Sequence, residues 1–454
     1  MTPISIIGLL LGSVSAVILI ALIGYRLSYN PYAPLTRHSV GDGVTLKVGI
    51  MGDTQLIASE DDPYYNYTEH LINAFKVLRE QKVEVIVFDG DIGNLGSAYA
   101  FNLFKKVFDL TYGGDEEKPI MNIIMGNHDH WYIKSIPSIP TYHEKLFEEA
   151  LGEKPFSHKV INGYHFINWG SMDSTTITCN ANILWAKKEI EAAIKEDPNK
   201  PVFVQTHLAP YGTMYGSVEW GNRLITYLLK NYPQVVAFSG HSHFALTDER
   251  SLWQGEFTAI TTQAVAYIEL ERGKENGSKP KDEFGDLQYS RRNYMGLIMD
   301  VNSKQVSIQR ISFESNKKYK EPWIIDLPIN KKTFRYDTEK RRQQSIAPKF
   351  ENDYSIEFIK QEKEGKEYKQ LRFTQAIHED LVHSYRIVFT NLKSEKSSEH
   401  LYFSDFFLLK EDRSKSLTIQ LPKKLKNGEY KVEIFAIESF GKESEPIIGN
   451  ITIE

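Results

Sequence analysis

The sequence holds a single cysteine, Cys179, among its 454 residues. A disulfide framework is therefore excluded, and so is a zinc site built from several thiolates, which leaves oxygen and imidazole groups as metal ligands. An excess of either charge is also missing, because 54 basic and 59 acidic residues give a net charge of −5. No field of the whole chain is expected to attract nucleic acid, so nucleic acid is not predicted as a partner.

Long hydrophobic runs are missing too, except at the amino terminus, where no charged side chain occurs between Thr2 and Tyr25. A helix over residues 4–23 would be about 30 Å long, the thickness of the hydrocarbon core of a membrane. We predict an N-terminal transmembrane helix within residues 1–30, with a signal peptide as the alternative. The protein is then expected to be membrane-anchored. Arg26 and Arg37 follow the run and, taken alone, would keep the body cytoplasmic. Large domains often cross the membrane despite so weak a bias, so we expect the body on the extracytoplasmic side.

What is present is the composition of a folded protein, with 41% hydrophobic and 25% charged residues. Residues 44–315 alternate β-branched runs with amphipathic helical stretches, which predicts an α/β domain whose ligand sites lie at the carboxyl ends of its strands. Polar clusters follow the predicted strands at these points: Gly52-Asp53, Gly90-Asp91, Gly126-Asn127-His128-Asp129, Thr206-His207 and Gly240-His241-Ser242-His243.

The remaining residues divide into two parts. Residues 316–349 are rich in Lys, Arg, Pro and Gln, which predicts a connector. Alternating apolar residues over 350–454 predict one antiparallel β-sandwich. The stretch at 428–432, followed by 439–444, resembles the last strands of fibronectin type III domains, so the sandwich is predicted to be fibronectin type III-like.

The polar clusters are weak signals when taken singly, because a lone aspartate after a strand is commonly a turn residue or a helix cap. Their order resembles that of the calcineurin-like metallophosphoesterase superfamily over residues 44–312. The blocks of that family are Asp-x-His, Gly-Asp, Gly-Asn-His-Asp/Glu, a lone His and Gly-His-x-His. The resemblance implies a four-layer α/β/β/α fold. It also implies metal-dependent hydrolysis of a phosphomonoester or phosphodiester. The substrate would be a small molecule or a phosphate ester displayed on a surface.

The resemblance further implies two metal ions, divalent or trivalent, with Mn, Fe and Zn as the candidates. A hydroxide that bridges the ions would attack phosphorus in line. The ligands carried over position by position are Asp53 and His243 for the first ion, Asn127, His207 and His241 for the second, and Asp91 as the bridge.

Two residues of the third cluster are predicted to be catalytic. His128 would assist the leaving group rather than bind a metal ion. Asp129 would either hold the tautomer of His128 or satisfy backbone amides, and the sequence leaves both roles open. Tyr211 and Tyr215 lie in loops that could border the site.

Gln55 departs from the family pattern, because it stands where the family usually has a histidine ligand. Its amide oxygen can still bind a hard cation, which favours Mn²⁺ or Fe³⁺ over Zn²⁺ at the first site. One alternative is a non-catalytic surface-binding protein whose impaired metal site only stabilises the fold. A second alternative, within enzymes, is a nucleotidase or nuclease.

Overall fold

The computed structural model describes residues 29–115, 117–131, 140–170, 176–276, 291–363 and 365–454. Within these ranges, we find no helix with the length and apolar character needed to cross a membrane. The run at 4–23, predicted as a transmembrane helix, lies outside the described residues.

Two β-sheets lie face to face in the amino-terminal part of the chain. Their facing sides are apolar and share one buried cluster, which includes Val48 and Ile50 of one sheet and Phe203 and Phe238 of the other. The six-stranded sheet has the spatial order Lys318–Asp326, Gln305–Ser312, Met295–Val301, Leu46–Met51, Val85–Phe88, Ile120–Ile123. The seven-stranded sheet has the order Thr36–His38, Phe156–Ile161, Tyr164–Trp169, Val202–Thr206, Val235–Ser239, Thr258–Thr261, Leu252–Gln254.

Helices cover the outer face of each sheet. The helix over Ala98–Tyr112 begins where the side chain of Ser97 accepts a hydrogen bond from the amide of Ala100, and it buries Phe101 and Phe104 at helical spacing. The helices on the six-stranded sheet are Thr68–Glu80, Ala98–Tyr112 and Pro140–Leu151. Those on the seven-stranded sheet are Thr176–Glu196 and Arg223–Leu229. The predicted four-layer α/β/β/α arrangement is confirmed.

The segment predicted as a connector begins with a strand. Lys318–Asp326 pairs in antiparallel fashion with Gln305–Ser312 and forms the edge of the six-stranded sheet. Trp323 and Ile325 of this strand are buried between the two sheets. Its lysines and proline obscured the strand in the sequence, but both residue types are tolerated on an edge strand.

The carboxyl-terminal residues form two antiparallel sheets that pack around one apolar core, so the predicted β-sandwich is confirmed. The three-stranded sheet has the order Ile356–Lys363, Lys366–Thr374, Ser416–Gln420. The four-stranded sheet has the order Ser397–Phe403, Val382–Asn391, Gly428–Glu438, Ile447–Ile453. A short helix, Thr338–Gln344, precedes the sandwich.

Candidate metal centre

The polar clusters meet at the carboxyl ends of the two facing sheets. Asp53, Asp91 and Asn127 follow three adjacent parallel strands of the six-stranded sheet. His207 and His241 follow two adjacent parallel strands of the seven-stranded sheet. Because parallel strands end at a common edge, residues far apart in the sequence are brought to one place.

Five of the seven predicted metal ligands have a left-handed backbone conformation. The φ angles are 54° at Asp53, 46° at Gln55, 54° at Asp91, 65° at His241 and 55° at His243. Non-glycine residues rarely adopt this conformation, and it persists only where the surrounding structure imposes it. Its concentration at these residues marks the strand ends as a functional site.

Asp91, His207 and His241 form the tightest part of the cluster, since one ligand atom from each lies within 4.8 Å of the others. The Nε2 atom of His207 is 3.3 Å from Oδ2 of Asp91 and 2.9 Å from Oδ1 of Asn127. The structure therefore brings together the four side chains expected around the second ion.

The side chains expected around the first ion also converge. Oδ1 of Asp53 is 3.4 Å from Nε2 of His243, and Nε2 of Gln55 donates a 3.0 Å hydrogen bond to Oδ2 of Asp91. The other amide atom of Gln55, Oε1, is buried and has no hydrogen-bond partner among the residues that the structure describes. A cation would satisfy a buried, unpaired oxygen of a side chain that already contacts the carboxylate of Asp91, so these residues fit a metal ion.

Three histidine rings of the site are fixed in the same way. Each Nδ1 lies against a backbone carbonyl oxygen, to which it donates because a carbonyl can only accept. The pairs are His207 with Asp89 at 2.7 Å, His243 with Tyr267 at 3.1 Å, and His128 with Asn94 at 3.0 Å. Each Nε2 is thereby left to face the site. Sequence reasoning missed these partners, because a main-chain carbonyl has no residue signature.

Asp129 takes the second of its two predicted roles. Its carboxylate accepts hydrogen bonds from the backbone amides of Ile92, Gly93 and Gly126, at 3.2, 3.0 and 2.9 Å. The tautomer of His128 is held by the carbonyl of Asn94 instead. The predicted role of Asp129 in holding the tautomer of His128 is therefore wrong, whereas its other predicted role, in satisfying backbone amides, agrees with these bonds. Asp129 positions the loops around Asp91.

The charges of the centre suit metal binding. Burial opposes ionisation of Asp91, but the charge of His207 outweighs it and holds the pKa of Asp91 well below its usual range. Burial also opposes protonation of His207, yet Asp91 and Asp53 raise its pKa to about 10. Burial and the neighbouring His207 lower the pKa of His241 to about 3. Ionised carboxylates and a neutral imidazole are the forms that bind metal ions, whereas His207 must lose a proton to do so.

Aromatic rings border the partly exposed side of the centre. The ring of Trp131, which is 50% exposed, lies 3.8 Å from the ring of His128. Trp220 packs edge-on against His241 at 5.4 Å. Tyr215, one of the loop residues that could border the site, is instead buried against Phe406 of the sandwich.

The comparison with protein families supports the same interpretation, because residues 46–245 match the model of the calcineurin-like phosphoesterase family. These residues form a calcineurin-like phosphoesterase domain. The predicted family is confirmed, and with it the predicted class of enzyme, a hydrolase that acts on phosphate ester bonds. No curated protein matches the sequence.

Solved structures similar to the phosphoesterase domain share little sequence with it. A dimetal phosphatase from Danio rerio is 11% identical, with a TM-score of 0.42, and the match covers 62% of this chain and 98% of that one. A purple acid phosphatase from yellow lupin (Lupinus luteus) seeds is 12% identical, with a TM-score of 0.41, over 62% of this chain and 54% of that one.

A methyl group at Gly126 is expected to disrupt the phosphoesterase site. A Cβ atom there would overlap Oδ1 and the amide nitrogen of Asp91. We expect Gly126→Ala to lose most of its bound metal and about 1–3 kcal/mol of stability, measured by metal analysis and denaturant unfolding. Gly114→Ala is the matched control, because a Cβ at Gly114 meets nothing within 4 Å. Equal metal contents in the two variants would contradict the placement of Asp91 in the centre.

Replacing Gln55 with the residue usual in the family tests whether this position is a ligand. Imidazole binds Zn²⁺ more strongly than an amide oxygen does, and histidine tolerates the left-handed conformation better than most residues. Gln55→His is therefore expected to retain more zinc than the wild-type protein after dialysis against a weak chelator. An unchanged zinc content would show that position 55 does not reach the metal.

Proposed function

We propose that the protein hydrolyses a phosphomonoester or a phosphodiester with the help of two metal ions. The observation that carries this proposal is the convergence of Asp91, His207 and His241, whose ligand atoms lie within 4.8 Å of one another. In this proposal Asp53, Gln55 and His243 would hold the first ion, Asn127, His207 and His241 would hold the second, and Asp91 would contribute to both.

When bound, the ions supply the Lewis acidity that activates water and neutralises charge on the phosphate oxygens. The protein tunes the charge of the pocket. Asp53 and Asp91 contribute two negative charges, fewer than two divalent cations bring, so the loaded site is complementary to an anionic ester. Both carboxylates are held by backbone amides, those of His241 and His128, and need no rearrangement during the reaction.

His128 is the residue that we assign to the leaving group. Its Nδ1 is committed to the carbonyl of Asn94, so Nε2 is the atom that can hold a proton for a departing oxygen. That atom lies 3.9 Å from Oδ2 of Asp91, and the side chain is 20% exposed. Trp131 packs against the ring, and its exposed surface offers an apolar contact to the alcohol portion of the ester.

The non-catalytic alternative depended on Gln55 as a sign of an impaired metal site. Gln55 keeps a buried, unpaired amide oxygen in the cluster of carboxylates, so the position can still contribute a ligand. This favours the enzyme over a surface-binding protein.

We also propose that residues 4–23 anchor the enzyme in a membrane with its body on the extracytoplasmic side. The support is the uncharged run itself, which would be about 30 Å long as a helix. The full chain should stay in the membrane fraction after alkaline washing, and its release into the soluble fraction would contradict the anchor.

Substitution of Asp91 tests the proposed function directly. The full chain is assayed on a chromogenic phosphate monoester and diester with Mn²⁺, Fe and Zn²⁺ in turn. Asp91→Asn and His207→Ala are expected to abolish turnover of both esters, because the first replaces a charged carboxylate with a neutral amide and the second removes an imidazole ligand. His38→Ala, which changes an exposed histidine on the edge strand Thr36–His38 of the seven-stranded sheet, should keep full activity. Unchanged turnover in Asp91→Asn would refute the assigned site.

The role of His128 predicts a dependence on the leaving group. We expect His128→Gln to lower kcat/KM for an alkyl phosphate by roughly 10²–10⁴-fold, the usual contribution of a general acid. The loss should be much smaller for p-nitrophenyl phosphate, because nitrophenolate leaves without a proton. Bound metal should stay at the wild-type level. Equal losses for both esters would rule out the proton-donating role.

A further inference from the structure

The carboxyl-terminal sandwich packs against the loop that carries two of the proposed ligands. Phe244 and Ala245 directly follow His243, and they are only 1% and 0% exposed. Both belong to a buried apolar group formed by the two domains, which we name the interdomain cluster. Its members are Tyr215, Phe244, Ala245, Ile268 and Leu270 of the phosphoesterase side, and Leu381, Phe403 and Phe406 of the sandwich.

The second segment that supports His243 is covered by the same cluster. The carbonyl of Tyr267 accepts the hydrogen bond from Nδ1 of His243, and the amide of Glu269 donates to the carbonyl of His243 at 3.0 Å. Ile268 and Leu270 alternate with these residues and point into the interdomain cluster. Each segment therefore contacts the metal ligand on one side and the sandwich on the other.

Polar contacts fix how the sandwich sits on the loop. The hydroxyl of Tyr215 lies 3.1 Å from Nε2 of His383, and its ring lies 4.8 Å from the ring of Phe244. Farther along the same loop, Oδ2 of Asp248 accepts a 3.1 Å hydrogen bond from Ser439 of the sandwich. These directional bonds define one docking geometry, which apolar packing alone would not.

The backbone of the loop explains why such support matters. His241 and His243 both have positive φ angles, 65° and 55°, although neither is glycine. A strained conformation persists only while its surroundings hold it. One such restraint is the packing of Phe244 on Tyr215, whose ring in turn packs on Phe406 of the sandwich. Without it, the loop would be free to relax and carry Nε2 of His243 away from Asp53.

We propose that the sandwich is a positioning element of the metal centre, and that Phe406 acts through Tyr215 and then Phe244 to hold His243 in its ligand geometry. This inference rests on the proposed function, because it presumes a metal at Asp53 and His243. Coupling between two sites is reciprocal, so metal binding must in turn strengthen the contact between the domains.

The test compares two buried phenylalanines of the sandwich in the full chain. Phe406 lies in the interdomain cluster, whereas Phe373 lies in the core of the sandwich, and both are 0% exposed. Phe406→Leu and Phe373→Leu are titrated with Mn²⁺ alone by calorimetry, and their thermal stabilities are recorded. We expect Phe406→Leu to weaken the first Mn²⁺ site roughly 2- to 30-fold, the usual range for a coupling residue. Phe373→Leu should lower the Tm without changing the Mn²⁺ affinity.

A second measurement on the wild-type protein keeps the inference testable if a variant does not fold. Hydrogen exchange of the amides at 403–406 should slow when Mn²⁺ is added, while exchange in the distant strand Lys366–Thr374 should not change. If the wild-type protein binds Mn²⁺ but the two variants bind equally, or if the amides at 403–406 do not respond, the positioning role is refuted and the proposed function stands. If the wild-type protein binds none of Mn²⁺, Fe and Zn²⁺, both are refuted.

Discussion

Two buried carboxylates, those of Asp53 and Asp91, set the constraint on which the catalytic domain depends. They are 0% and 1% exposed, and an ionised carboxylate is costly to bury unless it is paired and hydrogen-bonded. The strand ends supply backbone amides and histidine rings, and the glycines at 126 and 240 let neighbouring loops come close enough to do so. Metal binding and the strained backbone are two consequences of this one arrangement.

Much of the site could be predicted from the sequence, because parallel strands carry the residues that follow them to a common edge. Asp53, Asp91, His207 and His241 are spread over nearly two hundred positions, and the strand ends bring them together. The roles that backbone groups play could not be predicted in the same way. The ring of His128 is oriented by the main-chain carbonyl of Asn94, and the carboxylate of Asp129 accepts hydrogen bonds from backbone amides instead. The residue types alone do not distinguish this arrangement from one in which Asp129 orients the ring.

Contacts between residues far apart in the sequence also explain which parts of the fold could not be predicted. The strand Lys318–Asp326 has a charged and proline-containing sequence typical of a connector, yet Trp323 and Ile325 complete the core between the sheets. Tyr215 has the sequence context of a surface loop, but its partner His383 comes 168 residues later. Such contacts join the sandwich to the catalytic domain. The two predicted domains therefore share the interdomain cluster, which lies beside the metal centre.

A crystal structure of the protein with Mn²⁺, analysed by anomalous scattering, is the most direct test of the proposed metal centre. We expect two anomalous peaks about 3.5–4 Å apart, with Asp91 between them. One peak should lie beside Asp53 and His243, and the other beside Asn127, His207 and His241. Mn²⁺ bound elsewhere, or no ion within reach of Asp91, would contradict the proposed metal centre.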